Sequence, residues 1–191
     1  MDYIITALIS YLFGSIPFGY IFTKIFLKKD IRDVGSGNIG ATNVLRTGNK
    51  RLGYLTLILD ILKAVIPVIY VKLYYPDLIF ISALSAFLGH LFPVWLKFDG
   101  GKGVATFVGI LISINIYYAL IFGIIWVLTF IMSKYSSLSS LIASASIPIY
   151  ILILGNGNFN FFTIMFVLIF YTHRENIKRL INKEETKSKI Y

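Results

Sequence analysis

Between positions 3 and 171 the chain passes through a succession of apolar blocks that are too long to be surface helices of a soluble domain. The first covers 3–25, and others follow at 53–73, 78–96, 104–132, 138–154 and 159–171. About 20 residues of helix cross the hydrocarbon core of a bilayer, and several of these blocks reach that length. The chain of 191 residues is 57% hydrophobic and 14% charged, with a mean hydropathy of +0.79. An all-α integral membrane protein is expected, with 1–191 forming one multi-pass domain.

The first block is expected to be retained as a spanning helix. Met1-Asp2 lacks a basic leader, the apolar run is too long for a signal peptide, and no small-x-small cleavage site follows. Gly14, Pro17 and Gly19 predict a break or kink within it. The block at 104–132 exceeds one perpendicular crossing, so it is either one tilted helix or two short ones turning near Ser113 and Asn115. Gly155-Asn156-Gly157-Asn158 reads as a tight turn between antiparallel helices. Six or seven crossings follow, several of them short, and seven is the first choice.

Charge placement orients the chain. The stretch 24–51 carries Lys24, Lys28, Lys29, Arg32, Arg46, Lys50 and Arg51 against Asp30 and Asp33, and the tail after Tyr171 is also cationic. Both belong on the cytoplasmic side, whereas the turns near 75–77 and 155–158 are nearly free of Lys and Arg. The N-terminus is then external and the C-terminus cytoplasmic, and the odd number of crossings this requires supports seven. The net charge of +9 is accounted for by this asymmetry and by anionic headgroups, so no nucleic-acid partner is expected. With no cysteine there is no thiolate nucleophile, disulfide framework or Cys-based metal site.

Two glycine-rich segments interrupt the apolar pattern: Val34-Gly35-Ser36-Gly37-Asn38-Ile39-Gly40-Ala41-Thr42-Asn43-Val44-Leu45-Arg46, and Gly89-His90-Leu91-Phe92-Pro93 leading to Asp99-Gly100-Gly101-Lys102-Gly103-Val104-Ala105-Thr106. Glycines let backbone N–H groups converge on a concavity, and Ser36, Thr42, Asn43, Arg46 and Lys102 surround it with donors. That is anion chemistry, with phosphate the obvious anion. Gly35-x-Gly37-x-x-Gly40 matches the dinucleotide fingerprint only formally, because no strand precedes it. Gly100-Gly101-Lys102-Gly103 lacks the spacing and the following Ser/Thr of a nucleotide P-loop. Helices are expected to start after Gly40 and at Val104, each with its N-terminus toward the anion.

The remaining polar residues are few. His90 in an apolar helix reads as a hydrogen-bonded structural residue before it reads as a catalyst. Asp60 and Lys63, three apart in an apolar helix, are placed to pair. Ser137, Ser139 and Ser140 read as a helix cap. The segment from Thr172 to Leu180 is expected to continue the last membrane helix, with His173, Asn176 and Ile177 on one face and Arg174 and Lys178 on another. No set of carboxylates or histidines clusters around the glycines, so no metal and no cofactor is expected.

Ser36-Gly37-Asn38-x-Gly40-Ala41-Thr42-Asn43-Val44 with Arg46, Gly89-His90-x-Phe92-Pro93-Val94 with Gly100-Gly101-Lys102-Gly103-Val104-Ala105-Thr106, and His173-Arg174-Glu175-Asn176-Ile177 with Arg179-Leu180 resemble, in order, the three motifs of the bacterial acyl-phosphate:glycerol-3-phosphate acyltransferases, the PlsY family. The resemblance covers essentially the whole chain. It implies a seven-helix enzyme of the bacterial cytoplasmic membrane, with its motifs facing the cytoplasm. It further implies transfer of a fatty acyl group from acyl phosphate to the sn-1 hydroxyl of glycerol 3-phosphate, forming lysophosphatidic acid for phospholipid synthesis. Membrane lipid surrounds such an enzyme, and a soluble phosphate:acyl-ACP acyltransferase supplies its donor.

On that resemblance Ser36, Arg46, His173 and Asn176 are the expected catalytic residues. Gly37, Asn38, Gly40, Thr42, Asn43, Gly100, Gly101, Lys102 and Gly103 are expected to bind the two phosphates. Asp60, Lys63, His90, Ser140 and Glu175 support them. Which loop holds which phosphate, and whether His173 or the leaving phosphate takes the proton, stay open. The His-x-x-x-x-Asp pattern of thioester-dependent acyltransferases is absent, since Trp95 and Lys178 stand five residues after the two histidines. A transporter of a phosphorylated solute is the competing class, and internal inverted repeats would favour it; none is evident.

Overall fold

The structure, a computed structural model, describes residues 2–155 and 158–187. The described residues form helices and no strand. The chain divides into two compact units, Met1–Ile114 and Asn115–Tyr191. Among the described residues five segments are long and apolar enough to cross a membrane: Tyr3–Phe26, Lys50–Tyr74, Pro76–Leu96, Ile116–Ser133 and Ser136–Leu154. The apolar helices Val104–Ile114 and Phe159–Thr172 are shorter.

The first unit is built around α4 (Lys50–Tyr74), against which α1 (Tyr3–Gly14), α2 (Phe18–Phe26), α3 (Ala41–Leu45), α5 (Ile79–Leu91) and α6 (Val104–Ile114) all pack. The expected break in the first block is present between α1 and α2, where Pro17 precedes Phe18 with φ −92° and ψ 74°. Helix α1 lies close against α5. A Cβ on Gly89 would run into the Tyr11 carbonyl, and Ser10 and Ser82 share a hydroxyl–hydroxyl bond of 2.8 Å. Small residues that let backbones approach, with a hydroxyl pair across the contact, are how helices associate where lipid supplies no hydrophobic drive. At its far end α4 turns Lys72 onto α6, where its ammonium donates to Ser113 O at 2.7 Å and Ile114 O at 3.0 Å. Those last carbonyls would otherwise lack partners.

The second unit contains α7 (Ile116–Ser133), α8 (Ser136–Leu154), α9 (Phe159–Thr172) and α10 (Arg174–Ile181). The block at 104–132 is therefore two helices. Asn115 separates them and caps α7, its side chain accepting from Tyr117 N at 3.0 Å. Along α7 only Phe122 is buried, and Ile124, Leu128 and Met132 are exposed, as an apolar face toward lipid requires. The expected tight turn at 155–158 includes Asn156 and Gly157, which lie outside the described residues.

Two local expectations are corrected. Helix α8 begins at Ser136, and its capping residue Tyr135 makes no side-chain cap. Ser139 and Ser140 are interior to the helix, donating to Tyr135 O at 2.8 Å and Ser136 O at 2.9 Å; a serine inside a helix bonds back one turn instead of capping. The last membrane helix also does not run on through position 173. His173 takes φ −94° and ψ 6° between α9 and α10, and both its backbone N–H and its ring Nδ1 contact Ile169 O. The ring shares the Ile169 carbonyl with the backbone N–H, and α10 starts one residue later at Arg174.

Candidate active site

The first glycine segment is shaped from within by Asn43. Its amide nitrogen donates to Ile31 O at 3.1 Å, Val34 O at 2.8 Å and Asn38 O at 2.8 Å, and its carbonyl oxygen accepts from Ser36 N at 3.0 Å. Gly35 and Gly37 have φ of +56° and +73°, which an L side chain rarely adopts. Gly40 N–H donates to Asn38 Oδ1 at 2.8 Å, so Asn38 closes the turn that leads into α3. Asn43, at 2% exposure, is thus spent on the loop's own backbone.

What the loop presents outward is different. Ser36 and Thr42 are exposed, and Arg46, the residue that ends α3, is half-buried beside Gly35. Among the described residues neither the Ser36 hydroxyl nor the Arg46 guanidinium takes a hydrogen bond or ion pair. Helix α3 is only five residues long, so the expected helix-end contribution to an anion site is slight.

The second segment folds back on α5. Gly101 N–H donates to His90 O at 3.0 Å, and Gly103 has φ +83° with Phe87 where a Cβ would project. Helix α6 starts at Val104 as expected, immediately after Lys102 and Gly103. Leu96, just upstream, is buried in one cluster with Ile31, Ile39, Val44 and Leu52. The same small core therefore underlies both glycine segments.

Arg32 lies beside this region, gripping Asp30 through Nε at 3.0 Å and Nη2 at 2.7 Å, over the Tyr20 ring. The Arg32 hydrogen bonds hold the Asp30 carboxyl down to about 2. Arg32 is raised above its ordinary value, chiefly by Asp30 with a lesser share from Asp99 of the second segment.

Below the loops, Asp60 and Lys63 pair at 2.8 Å as expected. His90 is buried at 4% exposure, yet its Nδ1 has no hydrogen-bond partner among the described residues, so the hydrogen-bonded role expected of it is not met there.

In the second unit the third motif centres on a residue outside the motif itself. Glu185 accepts from Ser137 Oγ at 2.8 Å and Asn176 Nδ2 at 2.7 Å through Oε1, and from Arg179 Nε at 2.7 Å through Oε2. Burial pushes its carboxyl up. Hydrogen bonds from Arg179, Ser137 and Asn176 outweigh that and bring it below the ordinary glutamate value. The only sequence signal was a carboxylate pair, Glu184-Glu185, inside a lysine-rich tail.

Asn176 and His173 share the buried face, as their spacing predicts. His173 Nδ1 lies 2.8 Å from the Ile169 carbonyl. A carbonyl only accepts, so Nδ1 carries the hydrogen and Nε2 is the basic nitrogen. Ser140 accepts from Trp126 Nε1 at 3.1 Å, and Glu175 pairs with Lys178 at 3.3 Å on the exposed side of α10, away from the Glu185 cluster. No group of three or more His, Asp or Glu able to hold a metal occurs among the described residues.

The apolar spans, interrupted by loops of glycine and polar donors, define an integral membrane protein. A family model described as glycerol-3-phosphate acyltransferase matches residues 4–183. The chain is 72% identical over 191 residues to the glycerol-3-phosphate acyltransferase of Pelagibacter ubique, covering all of both chains. It is 50% identical to one from Rhodopseudomonas palustris, covering 98% of this chain and 95% of the relative. The crystal structure of PlsY, an integral membrane glycerol 3-phosphate acyltransferase, in its glycerol 3-phosphate form superposes with a TM-score of 0.91 at 36% identity, over 97% of this chain and 94% of that one. Its lysophosphatidic acid form gives 0.88 at 35% identity, with the same coverage. The chain belongs to the glycerol-3-phosphate acyltransferase family.

Proposed function

We propose that this enzyme transfers a fatty acyl group from acyl phosphate to the sn-1 hydroxyl of glycerol 3-phosphate, releasing lysophosphatidic acid and inorganic phosphate. The observation that carries this reading is a donor-rich pair of glycine segments resting on one core, in a chain without the His-x-x-x-x-Asp pattern used on thioesters. Both substrates bear a phosphate, and one is a mixed anhydride with a good leaving group. The protein's task is then alignment and stabilisation of negative charge.

Arg46, Ser36 and the backbone of the first segment bind one phosphate, and Lys102 with the backbone of 100–103 binds the other. Asn43 and Asn38 act through the shape they give the first loop. His173 Nε2 accepts a hydrogen bond from the attacking hydroxyl, and Asn176 orients it. The hydroxyl oxygen bonds to the carbonyl carbon, the carbon–oxygen bond to phosphate breaks, and the proton leaves on the released phosphate. The acyl chain lies among the lipid-facing helices. Seven crossings put the N-terminus outside and the motifs at the cytoplasmic face of a bacterial inner membrane, where a soluble phosphate:acyl-ACP acyltransferase delivers the donor.

Proteoliposomes of the purified chain, supplied with labelled glycerol 3-phosphate and either acyl phosphate, acyl-CoA or acyl carrier protein thioester, test this directly. Lysophosphatidate is expected with acyl phosphate alone. Product from a thioester, or none from acyl phosphate, overturns the donor assignment.

A further inference from the structure

Beneath the second glycine segment lies a polar node that no step of the transfer uses. Asp60 and Lys63 on α4 and His90 on α5 are 2%, 3% and 4% exposed. Lys63 donates to Ile16 O at 2.8 Å, a carbonyl at the break between α1 and α2. Its ammonium also pairs with Asp60 Oδ1 at 2.8 Å. His90 Nδ1 faces the same carboxylate oxygen at 3.9 Å. Among the described residues His90 Nδ1 has no hydrogen-bond partner. A buried ring nitrogen left unpartnered while it faces a carboxylate calls for an explanation.

The other edge of the imidazole supplies one. A Cβ on Gly101 would collide with His90 at Nε2, and one on Gly100 with the His90 carbonyl. Gly101 N–H is tied to that same carbonyl. The ring is thus the floor on which the glycine loop rests, and Asp60 stands behind it. A neutral imidazole carries one hydrogen, and a carboxylate oxygen opposite Nδ1 favours having it there, leaving the lone pair of Nε2 under the loop.

We propose that Asp60 and His90 are positioning residues for the glycine loop: Asp60 fixes the His90 imidazole as the Nδ1–H tautomer, and the ring sets the height of the Gly101 backbone that meets the phosphate. This rests on the reading of 100–103 as a phosphate loop. Lys63 pairs with the carboxylate and ties it to the break in the first helix pair.

The chain has two histidines, so the full-length protein labelled with 15N-histidine in bilayers gives two imidazole signal sets, assigned with His90→Asn. His90 is expected as the Nδ1–H form in the wild type. In Asp60→Asn/Lys63→Met, which removes the pair without stranding one charge, it is expected to shift toward Nε2–H. The same variant should raise KM for the substrate whose phosphate this loop holds, glycerol 3-phosphate or acyl phosphate, and weaken inorganic phosphate binding by about tenfold each, with kcat within about twofold. His90→Asn, whose amide donor overlies Nδ1 but leaves the floor empty, should show the same KM-against-kcat split.

A wild-type His90 protonated at Nε2 overturns the proposal, as does a tautomer change with KM and phosphate affinity unaltered. Failure of the phosphate-loop reading is seen separately, as Lys102→Ala leaving phosphate affinity unchanged while the wild-type tautomer stays as stated.

Discussion

The loop before α3 and the tail after α10 are each gathered around one buried side chain, but the two side chains are chemically opposite. Asn43 is neutral and binds four backbone groups, so it dictates chain shape. Glu185 is a carboxylate and binds three side chains, so it dictates side-chain orientation. An amide both donates and accepts and can thread a strained loop, whereas a carboxylate only accepts and gathers donors. The first arrangement is indifferent to acid, and the second is tied to a charge.

Replacing Asn43 is the largest test of this difference. Asn43→Ala leaves the Asn38 carbonyl and the Ser36 N–H without their side-chain partner and strips one of two donors from Ile31 O and from Val34 O, and should cost about 3 kcal/mol in thermal unfolding in detergent. Acyl transfer should fall by about 100-fold or more, since loop donors displaced by about 1 Å lose that much. Asn43→Asp retains an acceptor for Ser36 N–H but no donor, and should fail almost as badly. Near-wild-type activity in Asn43→Asp would show that the carbonyl contacts do not hold the loop.

Glu185→Ala comes next. It should cost about 2 kcal/mol through the donors left behind, and lower turnover about tenfold, equivalent to about 1.4 kcal/mol. Glu185→Gln keeps one acceptor for Ser137 and Asn176 but turns an N–H toward Arg179, so an intermediate loss is expected. Equal losses in the two variants would remove charge from the account.

Acid separates the two regions without mutation. The folded-state pKa of Glu185 lies below its unfolded value near 4.5, so its contribution is complete above that value and is lost as pH falls through the folded one. Measured against the intrinsic rate, which acid itself slows, hydrogen exchange at the Glu184 and Glu185 amides, which donate to Arg179 O at 2.7 and 3.1 Å, should quicken on moving from about pH 6 to below about pH 4.5. Exchange at Ser36 should not follow, because an amide does not titrate there and Asp30 stays charged to about 2. Parallel acceleration at both would erase the distinction.

The smallest effect is expected from Ser137→Ala, which removes one of three donors to Glu185. It should cost about 1 kcal/mol and leave turnover within about threefold, measured in the same vesicles.

Much of this was legible in the chain. The apolar blocks give the helices because a bilayer admits few other solutions, and Pro17 and Asn115 mark the two breaks because one lacks an N–H and the other caps. The Asp60–Lys63 pair follows from a spacing of three on one helix face. What was not legible depended on side chains competing for backbone. At His173 the ring nitrogen and the backbone N–H share the Ile169 carbonyl where α9 gives way to α10, and Ser139 and Ser140 turn inward instead of capping. Asn43 looked like a ligand because donor types in a glycine loop carry no mark of which way they face.

The sequence by itself determined the membrane class, the order of the helices and the three motifs, because hydrophobic length and glycine–donor composition are local properties. Only the tertiary structure decided which polar residues are spent internally, Asn43 on its loop and Glu185 on Asn176, and which remain presented, Ser36 and Arg46. That division depends on which groups folding brings within about 3 Å of each other, and composition alone does not say which way a donor turns.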